Sequence, residues 1–232
     1  MKNTPSAILL FFICLAIFSC KKNSTTETPY LGYSYFPDNV GHYIIYDVDS
    51  VEKDGFTGIV THSTYQIKEI IESVFTDNQG RPTLRIERYR KDSVYYPDWT
   101  IYNVWTANLT ATTAERFENN IRYIKLTFPV QNGKTWNGNA MNTDVEEDYE
   151  YTGIHEQMTI NNLTFDSVTT VLQADELFNF VSPKYKQEQY AAGVGLVYRK
   201  KLELQTQIDT STGLPDTSSY IDYTERINAF GN

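Results

Sequence analysis

The sequence predicts a mostly β protein: a single domain of antiparallel strands forming a curved sheet, partial barrel or sandwich, with few short helices. Three observations carry that expectation. In "RYIKLTF", Ile124, Leu126 and Phe128 alternate with Tyr123, Lys125 and Thr127, and in "DSVTTVLQ", Val168, Thr170 and Leu172 share a face. Successive strand side chains point to opposite faces, so this period leaves one face buried and one wet, the antiparallel pattern. From Tyr35 onward, runs rich in Tyr, Val, Ile and Thr are separated by Asp, Asn, Gly and Pro turns, and no long stretch holds a 3.6-residue period.

Taken in order, the chain opens with a segment, 1–19, that carries Lys2 and then an uncharged apolar run from Ala7 to Phe18. That run is far short of the ~20 apolar residues needed to cross about 30 Å of hydrocarbon, so it reads as a secretory signal peptide. The residues Ile17-Phe18-Ser19-Cys20 resemble the lipobox of bacterial lipoproteins. The resemblance implies cleavage before Cys20 and lipidation there, with several acyl chains contributing about 0.8 kcal/mol per buried methylene. Residues 20–34 then form a polar tether, of which Lys21 to Pro29 reach about 30 Å at ~3.3–3.6 Å each. The remaining cysteine, Cys14, leaves with the signal, so no thiol is available to the mature chain for disulfides, zinc ligation or nucleophilic attack. Stability must come from a core, and roughly 210 residues suffice to bury one.

The β domain spans 35–232. The turn "TDNQGRP", residues 76–82, closes a hairpin between "YQIKEIIESVF" and "TLRIERYRK". Ile67, Ile70, Ile71, Val74 and Phe75 also fit helical spacing, but β-branched content and the following turn favour a strand. "FPDNVGHY" and "FPVQNGKTW" share Phe-Pro, three residues, then Gly, and predict two bends that deliver Tyr43 and Trp136 into the core. A short helix is expected around Ala114 to Asn119. The run "DVEEDYEY" places Glu146, Asp148 and Glu150 about 7 Å apart along one strand face, which reads as a solvated acidic face.

Several function classes are excluded by composition. The formal charge of −9 becomes −10 when Lys2 is removed, and Lys21-Lys22 and Arg199-Lys200-Lys201 are the basic clusters; nucleic acid is not an expected partner. His42, His62 and His155 stand apart, without metal-ligand spacing, and no glycine-punctuated loop accompanies the acidic run, so no metal and no cofactor is expected. No Gly-x-Ser-x-Gly elbow or phosphate-cradling loop is present, and no catalytic residue is assigned: the chain is not expected to be an enzyme. The aromatics of "SVYYPDWTIYNVW" remain. Tyr96, Trp99 and Trp105 are candidate glycan-binding residues, since exposed rings beside Asp or Asn grip sugars.

The stretches Val104 to Ala140 and "YAAGVGLVYRK", with the lipobox, its lysines and "YFPDNVGHYIIYDVDSV", resemble cell-envelope lipoproteins of Bacteroidota that carry no assigned activity. Asp-Ser-Val occurs at Asp49, Asp92 and Asp166, and resembles the O-glycosylation acceptor pattern of extracytoplasmic proteins in that phylum, with Ser50, Ser93 and Ser167 as acceptors. The resemblance implies a protein held on the outer membrane by its N-terminal lipid; "KKNSTTE" after the lipobox holds only Glu27, short of the acidic run that accompanies surface export, so the periplasmic side is expected rather than the cell surface. Its sheet-rich pattern is similar to carrier folds that cup lipid, which makes binding or scaffolding, with an apolar ligand, the leading expectation. A glycan- or peptidoglycan-recognition module using surface aromatics is the alternative.

Overall fold

The computed structural model describes residues 30–208, 211–213 and 215–232, so the signal segment, Cys20 and most of the tether lie outside the described residues. The fold is almost wholly antiparallel β. Twelve strands form one sheet: β1 (Tyr43–Lys53), β2 (Val60–Thr76), β3 (Pro82–Lys91), β4 (Thr100–Leu109), β5 (Thr113–Glu118), β6 (Ile121–Thr127), β7 (Thr135–Asn137), β8 (Asp148–Ile160), β9 (Leu163–Asp175), β10 (Lys184–Ala191), β11 (Gly195–Ile208) and β12 (Pro215–Gly231). Their spatial order is β6-β5-β4-β3-β2-β1-β12-β11-β10-β9-β8-β7. This is a meander cut between β6 and β7 and rejoined by the pairing of β1 with β12.

The cut edges meet. Ile124 N donates to Gly138 O at 2.9 Å, Trp136 Nε1 donates to Ile124 O at 2.9 Å, and Asn142 Nδ2 donates to Arg122 O at 2.8 Å. The Tyr151 hydroxyl accepts from Thr127 N and donates to Thr127 O, which staples β8 to β6. The result is a nearly closed barrel in which side-chain bonds and loop contacts stand in for the missing ladder, so that little free edge is left for another chain.

Turn chemistry explains the meander. The hairpin expected across 76–82 joins β2 to β3, with Gly80 at φ +76. Asn119-Asn120 (φ 50 and 68) and Asn161-Asn162 (φ 47 and 68) make two-residue loops with both central residues left-handed, the geometry whose twist matches a hairpin. The first of these corrects the helix expected around Ala114 to Asn119. That stretch is strand β5, hydrogen-bonded to β4 and β6 on its two sides, and six residues between tight turns are too short to hold helical periodicity.

One end of the barrel is shut. A 3-10 turn, Tyr33–Tyr35, crosses it and buries Tyr35 and Phe36, with Phe36 beside Ile44, Ile71, Leu84, Val194 and Leu196. Gly32 carries this crossing with φ +88, where a Cβ would meet Val130 at 2.5 Å. Of the two expected bends, the second puts Trp136 into the seam against Tyr151, with ring centroids 4.6 Å apart, and leaves it half-buried. The first leaves Tyr43 half-buried as well, on the outer face: His42 and Ile44 take the inward positions, so alternation turns Tyr43 outward against Gly231 and under the Lys68 ammonium, 4.9 Å from the ring.

Candidate functional site

The inward stripes of the strands change character along the barrel. On β2, Ile67, Glu69 and Ile71 share the interior face; on β3, Leu84, Ile86 and Arg88; on β12, Glu225 and Ile227. Charges enter at the middle of the barrel because strand alternation leaves them no other side. Register then sets them opposite one another: Glu69 faces Arg88, Glu188 faces Arg199, and Arg199 faces Glu225.

Four cations (Arg88, Arg116, Lys125, Arg199) and four carboxylates (Glu69, Glu118, Glu188, Glu225) close into an alternating ring. Arg88 meets Glu69 at 2.8 Å and Glu225 at 3.1 Å. Glu225 meets Arg199 at 3.2 Å, and Arg199 meets Glu188 at 2.8 Å. Glu188 meets Lys125 at 2.8 Å, and Lys125 meets Glu118 at 3.6 Å. Glu118 meets Arg116 at 3.4 Å, and Arg116 returns to Glu69 at 2.9 Å. Arg199 also reaches across to Glu118 at 3.3 Å. The 2.8 Å approach of Arg88 Nε to Glu69 Oε1 lies outside hydrogen-bond alignment, so it is an electrostatic contact rather than a directed bond.

Burial alone raises the pKa of a carboxyl, yet Glu118 and Glu188 are held below the usual range because Lys125 and Arg199 lie against them. Glu69 is lowered likewise, its burial outweighed by Arg116 and Arg88. Burial disfavours the charged guanidinium of Arg116, but Glu69 and Glu118 raise its pKa above the ordinary value. In Glu69, Glu118, Glu188 and Arg116 the charged partners thus outweigh burial and favour the ionised form. Aromatic groups frame the ring. Arg88 stacks on Trp105 at 3.6 Å with Arg116 at 4.9 Å, and the Tyr190 hydroxyl donates to Glu188.

Above this ionic floor the barrel opens into a cavity of about 820 Å³, at the end bearing the β1–β2, β3–β4, β5–β6, β7–β8, β9–β10 and β11–β12 connections. Its wall mixes ring faces and polar groups, among them Tyr102, Asn103, Tyr123, Gln173 and Tyr223. Tyr123 is pushed up to about 12 by burial and by Glu118. Two wall amides are incompletely used: Gln173, 7% exposed, has no partner for Nε2, and Asn103 has none for Oδ1. The apolar space near the shut end, beside Phe36, Ile44 and Ile86, holds about 50 Å³.

The three candidate glycan residues are not brought together. Trp105 is 4% exposed inside the barrel, while Tyr96 and Trp99 lie 37% and 36% exposed on the β3–β4 connection beside Arg90 and Lys91. A register shift in the β3–β4 pairing, between Arg88 and Tyr89, breaks the simple alternation that set Trp99 and Trp105 on one side. Of the Asp-Ser-Val serines, Ser50 lines the cavity, Ser93 is exposed in the β3–β4 connection, and Ser167 Oγ bonds Tyr35 at 2.8 Å and His155 at 3.1 Å. Among the described residues no cluster of three or more His, Cys, Asp or Glu forms a metal site. In the acidic run, Glu146 precedes β8 and does not share a strand face with Asp148 and Glu150, while Glu147 takes Lys184 at 3.1 Å.

The ring and the cavity wall were missed by sequence reasoning. A signal existed: Glu69 sits between Ile67 and Ile71 on the buried side of its strand, and Glu225 between Tyr223 and Ile227 on its own.

No protein family's sequence profile matches the chain, and no curated protein matches it. Among solved structures it is similar to a Bacteroides fragilis protein described as exported and of YmcC-like fold, at 9% identity and a TM-score of 0.44, over 85% of this chain and 98% of that one. At that identity no activity passes from one to the other.

Proposed function

We propose that this chain is a lipid-anchored protein of the outer membrane, facing the periplasm, that acts without catalysis by binding a polar ligand in its barrel lumen. The observation that carries this reading is the open cavity of about 820 Å³ over an ionic floor, within the ~300–1,000 Å³ usual for small-molecule sites. The ligand class is polar for a physical reason. An apolar ligand seated there would strip water from Lys125, Glu118 and Arg199 and return nothing, and the 50 Å³ apolar space is too small for an acyl chain. The unpartnered Gln173 Nε2 and Asn103 Oδ1 at the wall suit a ligand bearing both acceptors and donors.

Native mass spectrometry of the protein purified from its own membranes tests the lumen. The reading expects a retained polar small molecule whose retention is reduced in Ser50→Trp, whose indole would project into the lumen. A retained molecule unaffected by Ser50→Trp sinks the lumen assignment. The anchor is tested separately: Cys20→Ser should lose incorporation of a labelled fatty acid, and equal labelling of both forms refutes the lipid. A second reading, glycan recognition on the outer loop, rests on the exposure of Tyr96 and Trp99.

A further inference from the structure

One side of the barrel mouth carries an apolar surface with no described cover. On the β9–β10 connection Phe178 is 93% and Phe180 83% exposed, with Val181 and Leu177 beside them; Val145, on the β7–β8 connection, is 87% exposed. These groups belong to one patch. Thr206 N donates to Val181 O at 2.9 Å and Leu204 N to Pro183 O at 2.9 Å, which holds the β9–β10 connection against the end of β11. Lys184, at the start of β10, reaches Glu147 at 3.1 Å and so ties the β7–β8 connection to it.

Large exposed rings held by backbone bonds mark an interaction surface rather than incidental exposure. The charge of the patch says what covers it. Residues 138–147 and 176–183 contain Asp144, Glu146, Glu147 and Glu176 and no Lys or Arg. Asp144, Glu146 and Glu176 are exposed, and the flanking Lys184 is spent on Glu147 and Glu176 at 3.1 Å each. An anionic lipid surface would be repelled by these carboxylates. We propose that this acidic, aromatic lip of the mouth is a docking surface for a basic, amphipathic segment of a partner protein, whose apolar side chains cover Phe178 and Phe180 and whose lysines or arginines meet Asp144 and Glu146.

The test uses the full-length protein, a fluorescent amphipathic peptide of lysine and leucine, its glutamate and leucine counterpart, and phosphatidylglycerol vesicles. The lysine peptide should bind, with an affinity that falls as salt rises. Phe178→Ser with Phe180→Ser, and separately Asp144→Lys with Glu146→Lys, should each weaken it at least about tenfold, which is about 1.4 kcal/mol. All four positions are exposed, so unchanged thermal midpoints confirm that the variants are folded. Equal affinity in either variant, equal binding of the glutamate peptide, or Phe178-dependent binding to vesicles in place of the peptide would overturn the proposal. Ser50→Trp separates this surface from the lumen: peptide binding that survives it belongs to the lip, and binding lost with it places the peptide in the cavity and overturns the lip assignment.

Discussion

The two halves of the barrel interior are built from the same strands and filled in opposite ways. Toward the shut end, Ile44, Ile71, Leu84, Ile86 and Leu126 pack as an ordinary apolar core beneath Phe36. A few residues along, Glu69, Arg88 and Lys125 are just as buried, and Arg199 is mostly so, but they meet through charge. Dispersion and hydrophobic burial do not depend on which partner is present, so the first half tolerates conservative exchange; an ionic ring depends on each member, because removing one strands its neighbours without compensation. The apolar half makes the barrel stable, and the ionic half gives it a defined floor on which a polar cavity can rest.

The sharpest break in this comparison is Arg199→Leu, which takes one partner from each of Glu118, Glu188 and Glu225 and leaves four carboxylates against three cations. We expect a loss of about 3–5 kcal/mol at neutral pH, read as a lowered denaturant midpoint. A loss under about 1 kcal/mol would show that the ring contributes no more than surface pairs do.

Leu126→Ala probes the other half. Leu126 is fully buried, and the cavity left should cost about 2–5 kcal/mol. What distinguishes the halves is pH. The Arg199→Leu penalty should shrink on acidification, as the stranded carboxylates take up protons, while the Leu126→Ala penalty should stay level; parallel pH profiles for the two variants would contradict the contrast.

In the unaltered protein, Glu69, Glu118 and Glu188 have folded values depressed below 4.5. A depressed folded value gives stability that is complete above the unfolded value and is lost as pH falls through the folded one. Stability should therefore hold from neutrality down to about pH 4.5 and decline below it. Thermal midpoints that rise between pH 4.5 and pH 3 would reverse the sign of the ring's contribution.

The smallest effect belongs to the outer loop. Tyr96→Ala and Trp99→Ala should each shift stability by no more than about 0.5 kcal/mol, since both rings are over a third exposed and lie outside both halves of the interior. A cost near that of Leu126→Ala would make this loop part of the core.

Much of the fold was legible in the chain. "TDNQGRP" reads as a hairpin because Gly80 permits the left-handed turn that β2 and β3 need. The alternation expected over 123–128 is not kept: a register shift against β5 makes Lys125 an extra residue of β6, and Ile124, Lys125, Leu126 and Thr127 are all buried. The stretch 114–119 was misread, because six residues carry too little period to tell a short strand from a helical turn. Arg199-Lys200-Lys201 looked like a basic cluster along the chain. In the sheet it divides: Arg199 enters the ring, Lys200 turns to Asp222 outside, and Lys201 meets Glu203 at 2.9 Å.

By itself, then, the sequence determined the antiparallel class and the hairpins, since these depend on strand propensity and turn stereochemistry, both local; the alternation expected at 123–128 and 166–173 gives way to runs buried on both faces, Ile124 to Thr127 and Val168 to Val171. Only the tertiary structure decided that the sheet closes between β6 and β7 and that eight charges from seven strands meet in one ring. Lys125 and Glu188 are 63 residues apart along the chain and 2.8 Å apart in space. Such a contact is set by register summed around the whole barrel, and no local pattern carries that sum.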